Sequence, residues 1–326
     1  MEQFLEKVWY SKFNIFSLIL LPFSLLYFLV TKSKLYLYEH QFLKRYKSTI
    51  PTVIIGNITA GGTGKTPFVI WLANHLLNKG KKVGIISSGY KASLEIPTLV
   101  TGSSNPSLVG DEAVLIAKKT NCEVVSCGNR VEATKFITKT KLFDILIHDD
   151  GMQHYKLARD YEVVLINNKK LFGNGLLLPA GPLRELKSRL DTVDIVAYTN
   201  NNTEPYSISS ISNFVVNLVS NESKNIIDFS NNKVHLVSGI ASVDSIIENL
   251  ENNKIQYVSH KYDDHYVFNG SEVIFNDNYP VFITEKDCVK LSGINNKNIW
   301  VIDHKIELSE LLIKKLDNDL SNLLNI

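Results

Sequence analysis

Gly56-Asn-Ile-Thr-Ala-Gly-Gly-Thr-Gly-Lys-Thr66 follows a short apolar stretch, Pro51-Thr-Val-Ile-Ile55, and precedes a helical pattern running from Pro67 to Asn78. A glycine-rich turn between a strand and a helix is built to hold phosphate: its backbone N–H groups cradle the anion, and the helix N-terminus adds a favourable dipole. In this spacing the loop formed by Thr59, Ala60, Gly61, Gly62, Thr63 and Gly64 would wrap a polyphosphate. Lys65 would neutralise the β- and γ-phosphates, and the Thr66 hydroxyl would coordinate magnesium. The strict consensus asks for glycine at position 59, where this chain has Thr59, but the remainder keeps its specificity in a strand–loop–helix context. Such a loop announces a nucleotide, not a reaction.

Working outward, apolar strands alternate with helices. Lys82-Val-Gly-Ile-Ile86, Glu123-Val-Val125, Phe143-Asp-Ile-Leu-Ile147, Glu162-Val-Val-Leu-Ile166 and Asp194-Ile-Val-Ala-Tyr198 read as strands, with a helix over Glu112 to Lys119. Continuous apolar strands separated by helices predict an α/β fold with a mostly parallel, P-loop-type sheet covered on both faces. Asn200 to Lys233 is rich in Asn and Ser and reads as a linker or loose joint. Beyond it Val234–Ser238, Ile255–Val258, Val281–Thr284 and Trp300–Ile302 suggest a smaller C-terminal α/β unit. The expected division is therefore 1–36 as an N-terminal apolar helix, 37–232 as the nucleotide-binding domain and 233–326 as the C-terminal domain.

The N-terminal segment stands apart. Phe13 to Val30 holds 18 residues without a charge. As a helix these would extend about 27 Å, marginal for crossing a bilayer, and Pro22 and Ser24 interrupt the middle. A membrane-embedded or membrane-lying helix, a buried core helix and a signal peptide all pass a length test, but no small-residue cleavage site follows Val30. Lys7 and Lys12 precede the stretch, and the denser basic set, Lys32, Lys34, Lys44, Arg45 and Lys47, follows it. If the helix spans, that asymmetry places the main body in the cytoplasm. The whole chain, 326 residues with 44% hydrophobic and 21% charged, is globular in composition. Its net charge of +2 advertises no nucleic-acid partner. Cys122, Cys127 and Cys288 cannot all pair, and none sits in a Cys-x-x-Cys, which fits a reduced compartment.

Candidate chemistry gathers at a few acids. Strand Phe143 to Ile147 ends in His148-Asp149-Asp150-Gly-Met-Gln153-His154, and acids at the carboxyl end of a neighbouring parallel strand are where a P-loop needs its magnesium ligand. Gly110-Asp111-Glu112 opens a helix, so its acids either serve chemistry or complement the helix dipole. Arg184 and Glu185 close the glycine- and proline-punctuated loop that begins at Gly173; they are either a surface pair or contacts to phosphate and metal. Asp264-His265 is as readily structural as functional, and Arg130 after Gly128-Asn129 is a weaker signal still.

The run GNITAGGTGKTP, the segment GDEAVLIA, the DDGMQH element followed by Arg159-Asp160, the GNGLLLPAGPLRE loop and TEKDCVKL (284–291) occur in one order. In that order they resemble the lipid A 4′-kinases, the tetraacyldisaccharide 4′-kinases, and the likeness covers almost the whole chain. The resemblance implies transfer of the ATP γ-phosphate to the 4′-hydroxyl of a tetraacylated glucosamine disaccharide 1-phosphate, with ATP and Mg2+ required. It implies an active site between two domains, on the cytoplasmic face of the bacterial inner membrane, where the acylated substrate stays embedded. By matching motif positions, Asp111 with His265 would activate the hydroxyl. Asp149 and Asp150 would serve magnesium and the nucleotide, Gln153 and Glu185 would lie near the metal, and Arg130 and Arg184 would belong to the site. Three positions depart from the family pattern: Ser88 stands where an arginine is usual in Ser-Arg-Gly-Tyr, Ala113 where a proline follows Gly-Asp-Glu, and Tyr266 where a second histidine is usual. The missing arginine removes one expected phosphate or substrate contact. The rival reading, a membrane-tethered regulatory P-loop NTPase, explains the loop and the apolar helix but not the 173–185 loop or the distant histidine. A guanine-specific Asn-Lys-x-Asp would favour it, and Asn296-Lys-Asn298 lacks the aspartate.

Overall fold

Strands form where apolar runs can be covered from both sides. All five residues of Thr52–Gly56 and all seven of Tyr161–Asn167 are buried, the signature of a sheet sandwiched between helix layers. The computed structural model describes residues 2–11, 14–89, 94–140, 142–240, 243–291 and 293–324; Lys12, Phe13 and Tyr90 of the sequence reading lie outside them. In chain order the elements are α1 (Glu2–Tyr10), α2 (Ile15–Glu39), β1 (Thr52–Gly56), α3 (Lys65–Asn78), β2 (Val83–Ser87), β3 (Thr98–Val100), α4 (Pro106–Val109), α5 (Asp111–Lys119), β4 (Glu123–Ser126), α6 (Arg130–Thr140) and β5 (Ile145–Asp149). They continue with β6 (Tyr161–Asn167), β7 (Ile195–Thr199), β8 (Ser207–Asn217), β9 (Ser223–Asn225), β10 (Lys233–Ser238), α7 (Asp244–Asn252), β11 (Gln256–Lys261), β12 (Val281–Thr284), α8 (Glu285–Cys288), β13 (Ile299–Leu308) and α9 (Glu310–Leu323).

Among the described residues the strands make one 13-stranded sheet, ordered β11-β10-β12-β13-β8-β7-β6-β1-β5-β2-β4-β3, with β9 paired to β8. The fold is the expected α/β type: pairing is parallel from β7 to β4 and again from β11 to β13. Two groups of parallel strands meet at an antiparallel ribbon, β8 against β13, from Trp300↔Asn217 to Leu308↔Ile208.

That ribbon corrects one sequence reading. Asn200 to Lys233, read as a loose joint, contains the 11-residue strand β8. Ladder hydrogen bonds come from the backbone, so a strand rich in Ser and Asn pairs well once a partner is fixed beside it, although its composition imitates a linker. The C-terminal helix also crosses between the groups. Leu312, Leu316 and Leu320 of α9 are buried in the core formed by β1, α3, β2 and β5. The His75 imidazole pairs with Asp317 at 2.7 Å, and the Tyr161 hydroxyl donates to Asp319.

Helix α2 is 25 residues long and passes through Pro22 unbroken. It is long and apolar enough to cross a membrane. Ile15, Ile19, Phe23, Leu26 and Val30 are each more than half exposed, whereas Ser17 and Ser24 are the buried residues of the helix. Its small polar residues thus mark the docked face. The Ser24 hydroxyl donates to the Leu177 carbonyl (2.8 Å) and accepts from the Ala180 amide (3.0 Å), and the Tyr27 hydroxyl donates to the Arg184 carbonyl (3.0 Å). Asn174 Nδ2 reaches Ser17 Oγ at 3.3 Å.

Removing the Ser24 hydroxyl leaves the buried Ala180 amide without its acceptor, while the Leu177 carbonyl keeps its bond from the Gly181 amide, at a cost of about 1–3 kcal/mol. Ser24→Ala is therefore expected to lower the unfolding free energy by about that amount in a denaturant titration in detergent. An unchanged midpoint would show that α2 is not held by this bond.

Candidate active site

The phosphate loop leaves β1 at Gly56, where a Cβ would lie 2.6 Å from the Met152 Cβ, so only glycine lets the chain turn out beside the 149–153 segment. Asn57 is fully buried and pins the loop, its Nδ2 donating to Thr63 Oγ1 (3.1 Å) and the Gly61 carbonyl (3.4 Å). Gly64 caps α3 with φ +80°, a left-handed conformation that side-chain-bearing residues adopt only with strain. Thr63 is buried and its carbonyl accepts from the Thr199 hydroxyl at the end of β7 (3.3 Å), while Gly61, Gly62 and Gly64 stay exposed. Thr59 bridges to Leu183, the Ala60 amide donates to the Pro182 carbonyl (2.7 Å), and the Arg184 amide donates to the Ile58 carbonyl (2.7 Å). These backbone bonds lash the 182–184 segment to the loop and deliver the Arg184 side chain to the phosphate site.

The opposite wall is the end of β5. In the parallel register Ile55 lies opposite Asp149, so the first carboxylate of the acidic pair ends up beside the helix that starts with Lys65 and Thr66. Thr66 Oγ1 sits 3.4 Å from Asp149 Oδ2. Asp150 has left the strand with φ +51° and turns to the cations: Lys65 Nζ is 3.7 Å away and Arg184 NH1 lies 3.2 Å from both carboxylate oxygens. Arg130, only 1% exposed, donates from NH2 to the carbonyls of Asp149 and Asp150. Gln153 receives Arg184 NH1 at 3.3 Å and donates to Glu185 (2.8 Å). Glu185 also accepts from Tyr155 and pairs with Arg189 at 3.5 Å.

The two adjacent acids titrate in opposite directions. Burial, with the Glu112 charge adding to it, lifts the Asp149 carboxyl well above the usual carboxylate range. Burial acts on Asp150 too, but Lys65 and Arg184 outweigh it and hold that carboxyl far below the range. Neighbouring carboxylates pushed apart by their surroundings divide naturally into separate roles.

A second constellation joins the two strand groups. His265, held at φ +62°, places Nδ1 3.0 Å and 2.9 Å from the two oxygens of Asp111. Burial would raise the Asp111 carboxyl; the hydrogen bond from His265 and the charges of Lys286, His265 and Lys290 reverse that and lower it. Lys286 Nζ bridges the groups, 3.1 Å from Glu112 and 3.5 Å from Asp264. Glu112 in turn acts electrostatically on both Asp149 and Arg130, so the two constellations share one field.

The structure thus gathers Thr59 to Thr66, Arg130, Asp149, Asp150, Gln153, Arg184 and Glu185 at one centre and sets Asp111 with His265 at its edge. Sequence reading singled out none of Lys286, Lys290 and Thr199, and gave Glu112 no role apart from Asp111. Lysines four apart after a strand, as in Thr284-Glu-Lys286-Asp-Cys-Val-Lys290, lie on one helical face and could have been paired with the Asp111-Glu112 acids. At the departures from the family pattern, Ala113 is fully buried in α5 and the Tyr266 hydroxyl donates to Glu272 (3.1 Å). Ser88 lies just past β2.

Magnesium suits the oxygens present. Asp149 Oδ1 is buried with no hydrogen-bond donor among the described residues, and its partner oxygen faces the Thr66 hydroxyl; carboxylate and hydroxyl are hard ligands of the kind this ion takes. No cluster of three or more His, Cys, Asp or Glu side chains able to hold a metal occurs among the described residues.

Comparison with known proteins agrees with this geometry. The family model described as tetraacyldisaccharide-1-P 4′-kinase matches residues 16–321. The chain is 40% identical over 295 residues to a tetraacyldisaccharide 4′-kinase of Coxiella burnetii (strain RSA 331 / Henzerling II), covering 90% of this chain and 88% of that one. It is 38% identical over 307 residues to the protein of that name from Pasteurella multocida (strain Pm70), covering 92% and 93%. Among solved structures it is similar to an "apo" form of LpxK from Aquifex aeolicus in complex with ATP, at a TM-score of 0.79 and 29% identity, over 95% of this chain and 100% of that one. On the extent of the family match and the identity to these relatives, this chain belongs to the tetraacyldisaccharide-1-phosphate 4′-kinase family.

Proposed function

We propose that this protein transfers the γ-phosphate of ATP to the 4′-hydroxyl of a tetraacylated glucosamine disaccharide 1-phosphate, a step of lipid A biosynthesis. The observation that carries the reading is the pairing of two devices within one electrostatic field: a P-loop facing acids at the end of β5, and the Asp111–His265 pair from α5 and the C-terminal strand group, linked through Glu112. A regulatory NTPase needs only the first. In this reading residues 37–232 bind the nucleotide, residues 233–326 supply His265, and 1–36 meets the membrane. The exposed apolar face of α2, with Lys32, Lys34, Lys44, Arg45 and Lys47 beyond it, supports attachment to the cytoplasmic face of the inner membrane, where the acylated substrate lies.

Sugar hydroxyls are weak acids, so phosphoryl transfer depends on positioning and charge neutralisation, with modest help from a base. Within the Thr59 to Gly64 loop the Ala60 amide is engaged by Pro182, so residues Gly61 to Gly64 hold the phosphates through backbone N–H groups. Lys65, Arg184 and Arg130 offset the charge on the transferring group, and Asp150 keeps Lys65 and Arg184 aimed while the site is being filled. Thr66 and Asp149 would hold magnesium, with Asp150 beside them, and Gln153 and Glu185 brace Arg184 on that side of the site. When bound, the ion neutralises charge on the phosphate oxygens. Asp111 and His265 orient the acceptor hydroxyl and draw off its proton as the new bond to phosphorus forms.

The decisive assay incubates the purified protein with labelled ATP, magnesium and the disaccharide lipid. A bisphosphorylated lipid is expected; ATP hydrolysis without it would favour the regulatory NTPase.

Lys65→Ala is expected to abolish turnover while the chain still folds, because Asp150 keeps its pair with Arg184 once the Lys65 charge is gone. Near wild-type kinase rate in that variant would remove the loop from the mechanism.

Asp111→Ala and His265→Ala should each reduce turnover by roughly 10²–10⁴-fold, the usual worth of base assistance. Residues acting as a unit lose rate non-additively, so the double variant should be scarcely slower than either single one, with ATP affinity little changed. Multiplicative losses, or a collapse of ATP binding in Asp111→Ala, would move Asp111 out of the base role.

A further inference from the structure

The turn that follows α8 carries a lysine that the mechanism above does not use. Lys290 is 6% exposed, its Nζ 2.6 Å from Asp287 Oδ1 and 3.8 Å from Asp111 Oδ2, with the Phe268 ring centroid 5.2 Å away. Asp287 is fully buried and immobilised from behind. Its Oδ2 accepts from the Gly239 amide at the end of β10 (2.9 Å) and from the Thr284 hydroxyl at the end of β12 (2.7 Å). The ammonium is thereby fixed to the C-terminal strand group, yet it faces an acid of the nucleotide-binding group.

A carboxylate as buried as Asp111 is stable as an ion only with cations and donors at hand. Its neighbours are His265, the Glu112 amide at 2.9 Å, Lys286 and Lys290. Lys286 divides its charge between Glu112 and Asp264. Both lysines act on Asp111, but Lys286 makes its ion pairs with Glu112 and Asp264, and among the described residues Lys290 is the lysine within ion-pair distance of Asp111 itself, at 3.8 Å.

We propose that Lys290 is a positioning residue for phosphoryl transfer, holding the Asp111 carboxylate in register with His265 by a charge anchored on the opposite side of the cleft. This rests on the reading of Asp111 and His265 as the unit that orients the acceptor hydroxyl. The competing account gives Lys290 only the task of neutralising Asp287, a purely structural role.

Lys290→Met, Lys290→Gln and Lys290→Arg, each in the wild-type chain and in Asp111→Asn, separate the two. Single-turnover rate, KM for ATP and thermal melt are measured on the full chain in detergent. Loss of the charge should slow transfer by about 10- to 100-fold, the scale of a misplaced reacting group, with the ATP KM changed less than about twofold. Lys290→Arg should regain most of the rate. In the Asp111→Asn background, Lys290→Met should add no further loss. Lys290→Gln retains a donor for Asp287 and guards against a methionine variant that fails to fold. A lowered melt with full rate, or an equal loss in the Asp111→Asn background, would overturn the role of Lys290 while leaving the base reading intact. An Asp111→Asn enzyme with full turnover would overturn both.

Discussion

The register of β1 against β5 governs everything built at the nucleotide end. Ile55 opposite Asp149 brings the strand that feeds the phosphate loop level with the strand that ends in carboxylates. A slip of one residue would turn those carboxylates to the other face of the sheet. The register is secured by apolar side chains on both sides, since Val53, Ile55, Ile145 and Ile147 belong to one buried cluster and Ile54 to another. Gly56 completes the constraint, because the loop can pass Met152 only without a side chain.

Around that junction the protein concentrates charge in a place poor in water. Arg130 is enclosed, and its Nε and NH1 have no acceptor among the described residues, while its NH2 braces the carbonyls of the acidic pair. Buried ions are retained at a cost in stability when they serve recognition of a charged ligand. Asp149 and Asp150 show how such a cluster divides labour: one is buried against the Thr66 hydroxyl within the field of Glu112, the other faces Lys65 and Arg184. The covalent neighbours end up at opposite extremes of carboxylate behaviour.

Mechanical continuity runs from the apolar helix to the loop. Ser24 and Tyr27 of α2 grip the 177–184 segment, and Arg184 and Pro182 of that segment pair by backbone with Ile58 and Ala60. The exposed apolar face of α2 and the phosphate loop are therefore two faces of one hydrogen-bonded assembly. On the far side, the β8–β13 ribbon and the return of α9 onto the first core tie the C-terminal strands to the same body while leaving His265 on a separate loop.

By itself the sequence determined what local physics decides. The glycine spacing of 56–66, the continuous apolar strands and the acids at the end of one of them were legible because backbone conformation, two-sided burial and helix dipoles act over a few residues. The long apolar helix was legible from its composition, though Pro22 and Ser24, which looked like interruptions, lie in an unbroken helix whose serines make the docking contact. The tertiary structure decided what depends on distant pairing. β8 hid in Ser- and Asn-rich sequence because its ladder is made by backbone atoms. Arg130 gave only a weak local signal and entered the site through the family resemblance, since its value lies in carbonyls 19 and 20 residues away. The meeting of His265 with Asp111 spans 154 residues, and that of Lys286 with Glu112 spans 174. No periodicity encodes such encounters: they exist only when the sheet closes the cleft and buries opposite charges in reach of one another.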